Sequence, residues 1–120
     1  MRYIALLTNS PEAVERWAEM SPEEAAAERA AEMPKWDTAM AELGPYLREG
    51  RELDVPSTAK TVRVRNGETV ISDGPFAETK EQLGGFFLLE CDNLDQAIGL
   101  AAKIPVAESA SVELRPIVEH

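Results

Sequence analysis

Residues 84–91 read GGFFLLEC, and residues 2–8 read RYIALLT. In both segments the two alternating sets of side chains are apolar. Phe86 and Leu88 oppose Phe87 and Leu89 in one, and Ile4 and Leu6 oppose Tyr3, Ala5 and Leu7 in the other. A strand with one face in water alternates apolar with polar, whereas a strand apolar on both faces belongs inside a sheet covered on both sides. These two segments are the predicted central strands, and the rest of the chain must supply both covers.

Working outward, Ser10-Pro11-Glu12 and Ser21-Pro22-Glu23-Glu24 each have the pattern of a helix start. Serine accepts from a free backbone N–H, proline suits the first turn, and Glu24 completes a capping box. A helix over 11–19 and a longer one over 22–43 follow. The longer one carries Met33, Trp36, Met40 and Leu43 at helical spacing, a stripe for the core. Pro34 is expected to kink or split it, and Gly44-Pro45 to stop it. Residues 46–53, YLREGREL, form a weaker strand. TVRVR and ETVIS flank Asn66-Gly67, a β-hairpin signal, because these two residues accept the positive φ angles of a tight turn. After the strand at 84–91, Asp92 is expected to cap a helix with Leu94, Ile98 and Ala101 aligned, ended by Pro105. SVELRPIV closes the chain as a strand with Val112, Leu114 and Val118 on one side.

The order is β-α-β, an inserted hairpin, then β-α-β. This is the α+β class, a ferredoxin-like βαββαβ arrangement. Two main helices cover one face of a four-stranded sheet, so the second apolar face needs another layer. A second copy packed sheet to sheet supplies it, and a homodimer is expected. The alternative is that the hairpin or the helix at 11–19 folds over that face.

With 120 residues, 44% hydrophobic and 28% charged, the chain has the size and composition of one globular domain, 1–120. The net charge of −10 argues against nucleic acid held by phosphate neutralisation. No apolar run approaches the ~20 residues of a membrane span, and no signal peptide is read at the start. Cys91 is the one cysteine, which excludes a disulfide framework and a thiolate metal site and suggests a reducing cytoplasm. There is no glycine-rich phosphate loop and no spacing that specifies a metal, so no cofactor is expected.

The segment DGPFAETKEQLGG, residues 73–85, resembles the DGPF signature of the YCII-related family of small bacterial proteins. The likeness extends through TVRVRNGETVISDGPF, FFLLECDNLDQAIGLAAKIP and VELRPI, with looser agreement at the N-terminal strand and the Trp36 helix. The resemblance implies a ferredoxin-like subunit in a dimeric α+β barrel type of assembly. Some members of the wider group have a His–Asp pair suggested as catalytic, and one branch contains a dehydrochlorinase acting on a chlorinated hydroxyquinol. DGPF proteins are also often encoded beside sigma factors of the extracytoplasmic-function type. This chain departs from the catalytic pattern: its one histidine is His120, the last residue, so no His–Asp pair carries over.

The candidate site residues lie in and around that segment. Asp73 ends a hairpin strand before Gly74-Pro75, where it either caps the turn or serves as general base. Phe76 plugs a core edge or walls an apolar pocket. Glu78, Lys80 and Glu81 form a solvated Glu–Lys set on a short helical turn, or hold an anionic substrate through Lys80. Gly84-Gly85 permits a bulge or a close backbone approach. Arg115, flanked by apolar residues, pairs with Asp73 or Glu90, or binds an anion. Tyr3, Tyr46, Trp36 and Cys91 need no role beyond packing. Two functions of different class follow. One is a small-molecule site near the dimer seam, with cofactor-free, lyase-like proton transfer by carboxylates. The other is a non-catalytic regulatory partner of a sigma factor. A closed apolar pocket beside Asp73 would favour the first, and a solid core with an exposed apolar patch the second.

Overall fold

Tyr3, Ala5 and Leu7 on one strand and Phe87 and Leu89 on its neighbour floor the hydrophobic core. The structure is a computed structural model that describes residues 1–74 and 80–120. Strands β1 (Arg2–Asn9), β2 (Leu47–Glu52), β5 (Gln82–Glu90) and β6 (Val112–Pro116) form one sheet in the order β2-β5-β1-β6, every neighbour antiparallel. Strands β3 (Lys60–Arg65) and β4 (Glu68–Asp73) form a separate two-stranded sheet. Helices α1 (Pro11–Ala18) and α2 (Pro22–Leu43) connect β1 to β2, and α3 (Leu94–Ala101) and α4 (Val106–Ser109) connect β5 to β6. Each connection therefore passes over one intervening strand.

Local sequence explains these boundaries. Ser10 accepts from the Ala13 N–H, and Ser21 and Glu24 make the reciprocal capping box at 3.1 and 3.2 Å. Asn66 and Gly67 take φ of 50° and 77°, as the tight turn requires. Helix α2 runs unbroken through Pro34, so the proline does not split it. Pro34 and Ala30 are exposed, so the carbonyl left without its proline N–H partner is solvated. The third helix is capped by Asn93, whose side chain accepts from Gln96 N–H at 2.9 Å; Asp92 lies one residue outside. Arg29 on α2 donates two 2.9 Å bonds to Glu52 on β2. That bonding holds the Glu52 carboxyl below its usual range and raises Arg29. The carboxylate's contribution is present above the ordinary Glu pKa and is lost as pH falls through the lowered value.

Leu43, Ala39, Ala97, Leu100 and Ile104 roof the Tyr3–Leu89 floor, with Trp36, Met40, Tyr46, Val112 and Leu114 packed around it. Four expected core residues lie elsewhere: Met33 is exposed, as are Leu94 and Ile98 on the outer side of α3, and Val118 near the terminus. In α3 the small residue Ala97 meets the sheet, and that close approach turns Leu94 and Ile98 outward.

Both main helices thus cover the same face. The molecule measures 44 × 44 × 20 Å, and a thickness of 20 Å accommodates one sheet and one layer of helices. Its radius of gyration, 16.3 Å, exceeds the about 13.6 Å of a compact chain this long.

Candidate functional site

The second face of the sheet is an ordered grid. Register pairs Glu49 with Leu88, Leu88 with Ile4 and Ile4 with Arg115, so these four share one row on the side away from the core. The next row is Arg51, Phe86, Leu6 and Glu113. Ile4, Leu6, Phe86 and Leu88 make an apolar strip, half-buried by their neighbours in the sheet. Glu49 and Arg51 edge it on one side, with nitrogen and oxygen 3.6 Å apart. Arg115 and Glu113 edge it on the other and are hydrogen-bonded to each other. Each edge of the grid therefore joins an acid to a base, and each diagonal joins like charges. Glu49, Arg51 and Glu113 were not among the expected site residues. Their signal in the sequence is the period of two in REGRE and ELR, which places each charged pair on one face.

Two glycines bring β2 and β5 together beneath this grid. A Cβ on Gly50 would lie 2.5 Å from the Phe87 ring, and one on Gly85 would lie 2.8 Å from the Arg51 carbonyl oxygen. Gly84-Gly85 lies inside β5, two residues after its start at Gln82, and the register with β1 slips between Leu7 and Thr8. A β-bulge opposite Thr8 absorbs the extra residue.

The expected site residues are not brought together. Asp73 ends β4 with its side chain 85% exposed and bonded to Lys60 across the hairpin. Among the described residues its charged partner is Lys60, itself exposed, and a general base needs such a carboxylate to be enclosed with its substrate. Phe76 and Glu78 lie outside the described residues. Lys80 is exposed, and Glu81 accepts a bond from Ser111 Oγ at 2.7 Å. Arg115 pairs with Glu113 on its own strand, two residues away, rather than with Asp73 or Glu90. An i, i+2 pair on one strand face lies within reach without any tertiary contact. His120 is exposed. Tyr3, Trp36 and Tyr46 all belong to the core on the helix side. Among the described residues no three His, Cys, Asp or Glu side chains converge as a metal site requires. No helix among them is long and apolar enough to cross a membrane.

An open groove of about 440 Å³ lies at the far end of the sheet, lined by Met1, Arg2, Glu90, Ile117 and Glu119. It shares no residue with the apolar strip or with residues 73–85. The prominent apolar feature among the described residues is the open sheet face rather than this groove.

Two measurements follow from this geometry. Asp73→Asn should lower stability by less than about 1 kcal/mol in the single chain, since an exposed pair contributes little, and the difference should shrink in high salt. Denaturant titrations at two salt concentrations read it. Cys91 is buried, and burial pushes its thiol pKa up. A thiol reagent should therefore label native protein on the order of 100-fold more slowly than unfolded protein.

Comparison with known proteins gives three findings. The family model described as the YCII-related domain matches residues 1–120. An uncharacterized protein of Rhizobium meliloti (strain 1021) is 38% identical over 120 residues, covering 98% of this chain and 92% of the relative. Among solved structures, the 5-chloro-2-hydroxyhydroquinone dehydrochlorinase of Burkholderia phenoliruptrix AC1100, in complex with 2,5-dihydroxybenzoquinone, aligns with a TM-score of 0.53 at 10% identity. The alignment covers 100% of this chain and 96% of that one. That likeness concerns the fold.

Proposed function

The chain belongs to the YCII-related domain family, and from that premise we propose that it works as a homodimer enclosing a small-molecule site. In this reading each ferredoxin-like subunit lays its open sheet face on that of the other, in a dimeric α+β barrel type of assembly. The observation that carries it is the strip of Ile4, Leu6, Phe86 and Leu88, left without a second layer among the described residues of a molecule 20 Å thick.

The rim of the strip supports a second copy as the cover. A face-to-face pair is related by a twofold axis lying between the sheets. An axis along the strands sets Glu49 opposite Arg115 and Arg51 opposite Glu113. An axis across the strands sets Glu49 opposite Arg51 and Arg115 opposite Glu113. Either way opposite charges meet, so the face is complementary to itself. Breaking the internal pairs to form these exchanges like for like, and the apolar strip supplies the net gain.

The ligand in this reading is a small hydroxylated aromatic compound, the class named with the structural neighbour. The apolar strip receives the ring, Arg115 and Lys80 hold its acidic hydroxyls, and Asp73 moves a proton in a lyase-like step. Closure by the second copy supplies the desolvation that Asp73 lacks in the single chain. A thermal-shift screen of dihydroxylated benzoquinones and related phenols tests this. A binding compound should raise the melting temperature saturably, and Arg115→Ala should weaken that response at least tenfold. A dimer whose stability responds to none of these compounds would remove the ligand site and leave the assembly. The half-buried apolar face is also what a second reading expects: a different protein, such as a sigma factor, covers it. A chain that stays monomeric would turn to that reading.

A further inference from the structure

The hairpin is unusual for a finished surface. Lys60, Val62 and Val64 on β3 face Asp73, Ile71 and Thr69 on β4, so one side of the ribbon presents Val62, Val64 and Ile71 together. These three side chains are 61%, 62% and 63% exposed. An isolated two-stranded ribbon is marginal in water, and a cluster of exposed β-branched residues on one signals a missing contact. The bonds Lys60–Asp73, Thr61–Gly74 and Arg63–Ser72 tie the ribbon to itself. Leu53 and Val55, which precede the ribbon in the chain, and Leu83, which follows it, are also exposed. The ribbon is a separate two-stranded sheet in a molecule whose radius of gyration exceeds that of a compact chain.

We infer that this hairpin is an arm that docks on a second copy of the chain, so that each subunit delivers its Asp73 to the other. The inference rests on the homodimer reading and adds which segment crosses between subunits. Charge selects the occupant. Residues 60–73 carry three bases, Lys60, Arg63 and Arg65, against two acids, Glu68 and Asp73, within a chain of net charge −10. Two such acidic bodies repel each other, and a basic arm on each is drawn to the other's acidic body. The apolar side of the ribbon then completes the contact, and the arm becomes a continuation of the sheet-to-sheet interface rather than a second one.

Two measurements test it. Val62→Thr, Val64→Thr and Ile71→Thr together keep β-branching, and hence the ribbon, while removing the apolar side. The dimer dissociation constant of this triple variant should rise at least tenfold by sedimentation equilibrium. Hydrogen exchange on the unmodified protein provides the second reading. Amides of β3 and β4 should exchange at least tenfold more slowly in the dimer than in protein diluted below its dissociation constant. A dimer with an unchanged constant in the variant, and hairpin exchange independent of dilution, would overturn the arm and spare the dimer. A monomer at all concentrations would overturn both.

Discussion

Leu88→Arg should give a folded monomer. Leu88 lies in the row Glu49–Leu88–Ile4–Arg115 on the open face, and its substitution leaves the Tyr3–Leu89 core untouched. In the face-to-face dimer each copy buries a new arginine in an apolar strip whose acids are already matched. An uncompensated buried charge costs about 3–5 kcal/mol. At about 1.4 kcal/mol per decade, dimer affinity should fall on the order of 100-fold or more. Size measured at micromolar concentration reads the loss. Retained protection of Cys91 from thiol reagents separates dissociation from unfolding, because that residue lies in the helix-side core. A variant that is folded and still dimeric would mean that the strip does not form the interface.

Leu43→Ala should be strongly destabilising. Leu43 ends α2 fully buried against the sheet, and deleting three carbons there removes apolar burial and leaves a cavity, together about 2–5 kcal/mol. Met33→Ala, one face of the same helix away and 51% exposed, should change stability by less than about 0.5 kcal/mol. Denaturant titration of both variants at one protein concentration, well above the dimer dissociation constant, makes the comparison fair. Equal effects would place the helix in a different rotation about its axis.

Much of the architecture was legible in particular residues. The Ser21–Glu24 capping box, the Asn66-Gly67 turn and the two-sided apolarity of 2–8 and 84–91 each reflect a local physical demand, and each recurs in the structure. The errors also have local causes. In LDQAIGLA, Leu94 and Ile98 repeat at helical spacing, but so do Ala97, Leu100 and Ala101. Which set turns inward depends on how closely α3 approaches the sheet, a tertiary fact that spacing does not contain. Met33 and Val118 share the spacing of core residues, yet both are exposed, and spacing alone does not say which turn of an element is covered.

The candidate site was less legible, for a reason of another kind. The DGPF segment marked the family, yet Asp73, Lys80 and Arg115 do not meet within one chain, and Phe76 and Glu78 lie outside the described residues. The chemistry of a carboxylate depends on what surrounds it, and a sequence does not state what a second copy would bring. Conversely, the alternating charges of Glu49, Arg51, Glu113 and Arg115 were visible as a period of two. Their meaning emerged only when the strand register set them around one apolar strip.

Sedimentation equilibrium of the unmodified chain at micromolar concentration is the most direct test that a second copy covers the open sheet. The account predicts a particle of twice the 13.2 kDa chain mass. A single species of 13.2 kDa across that range would contradict it.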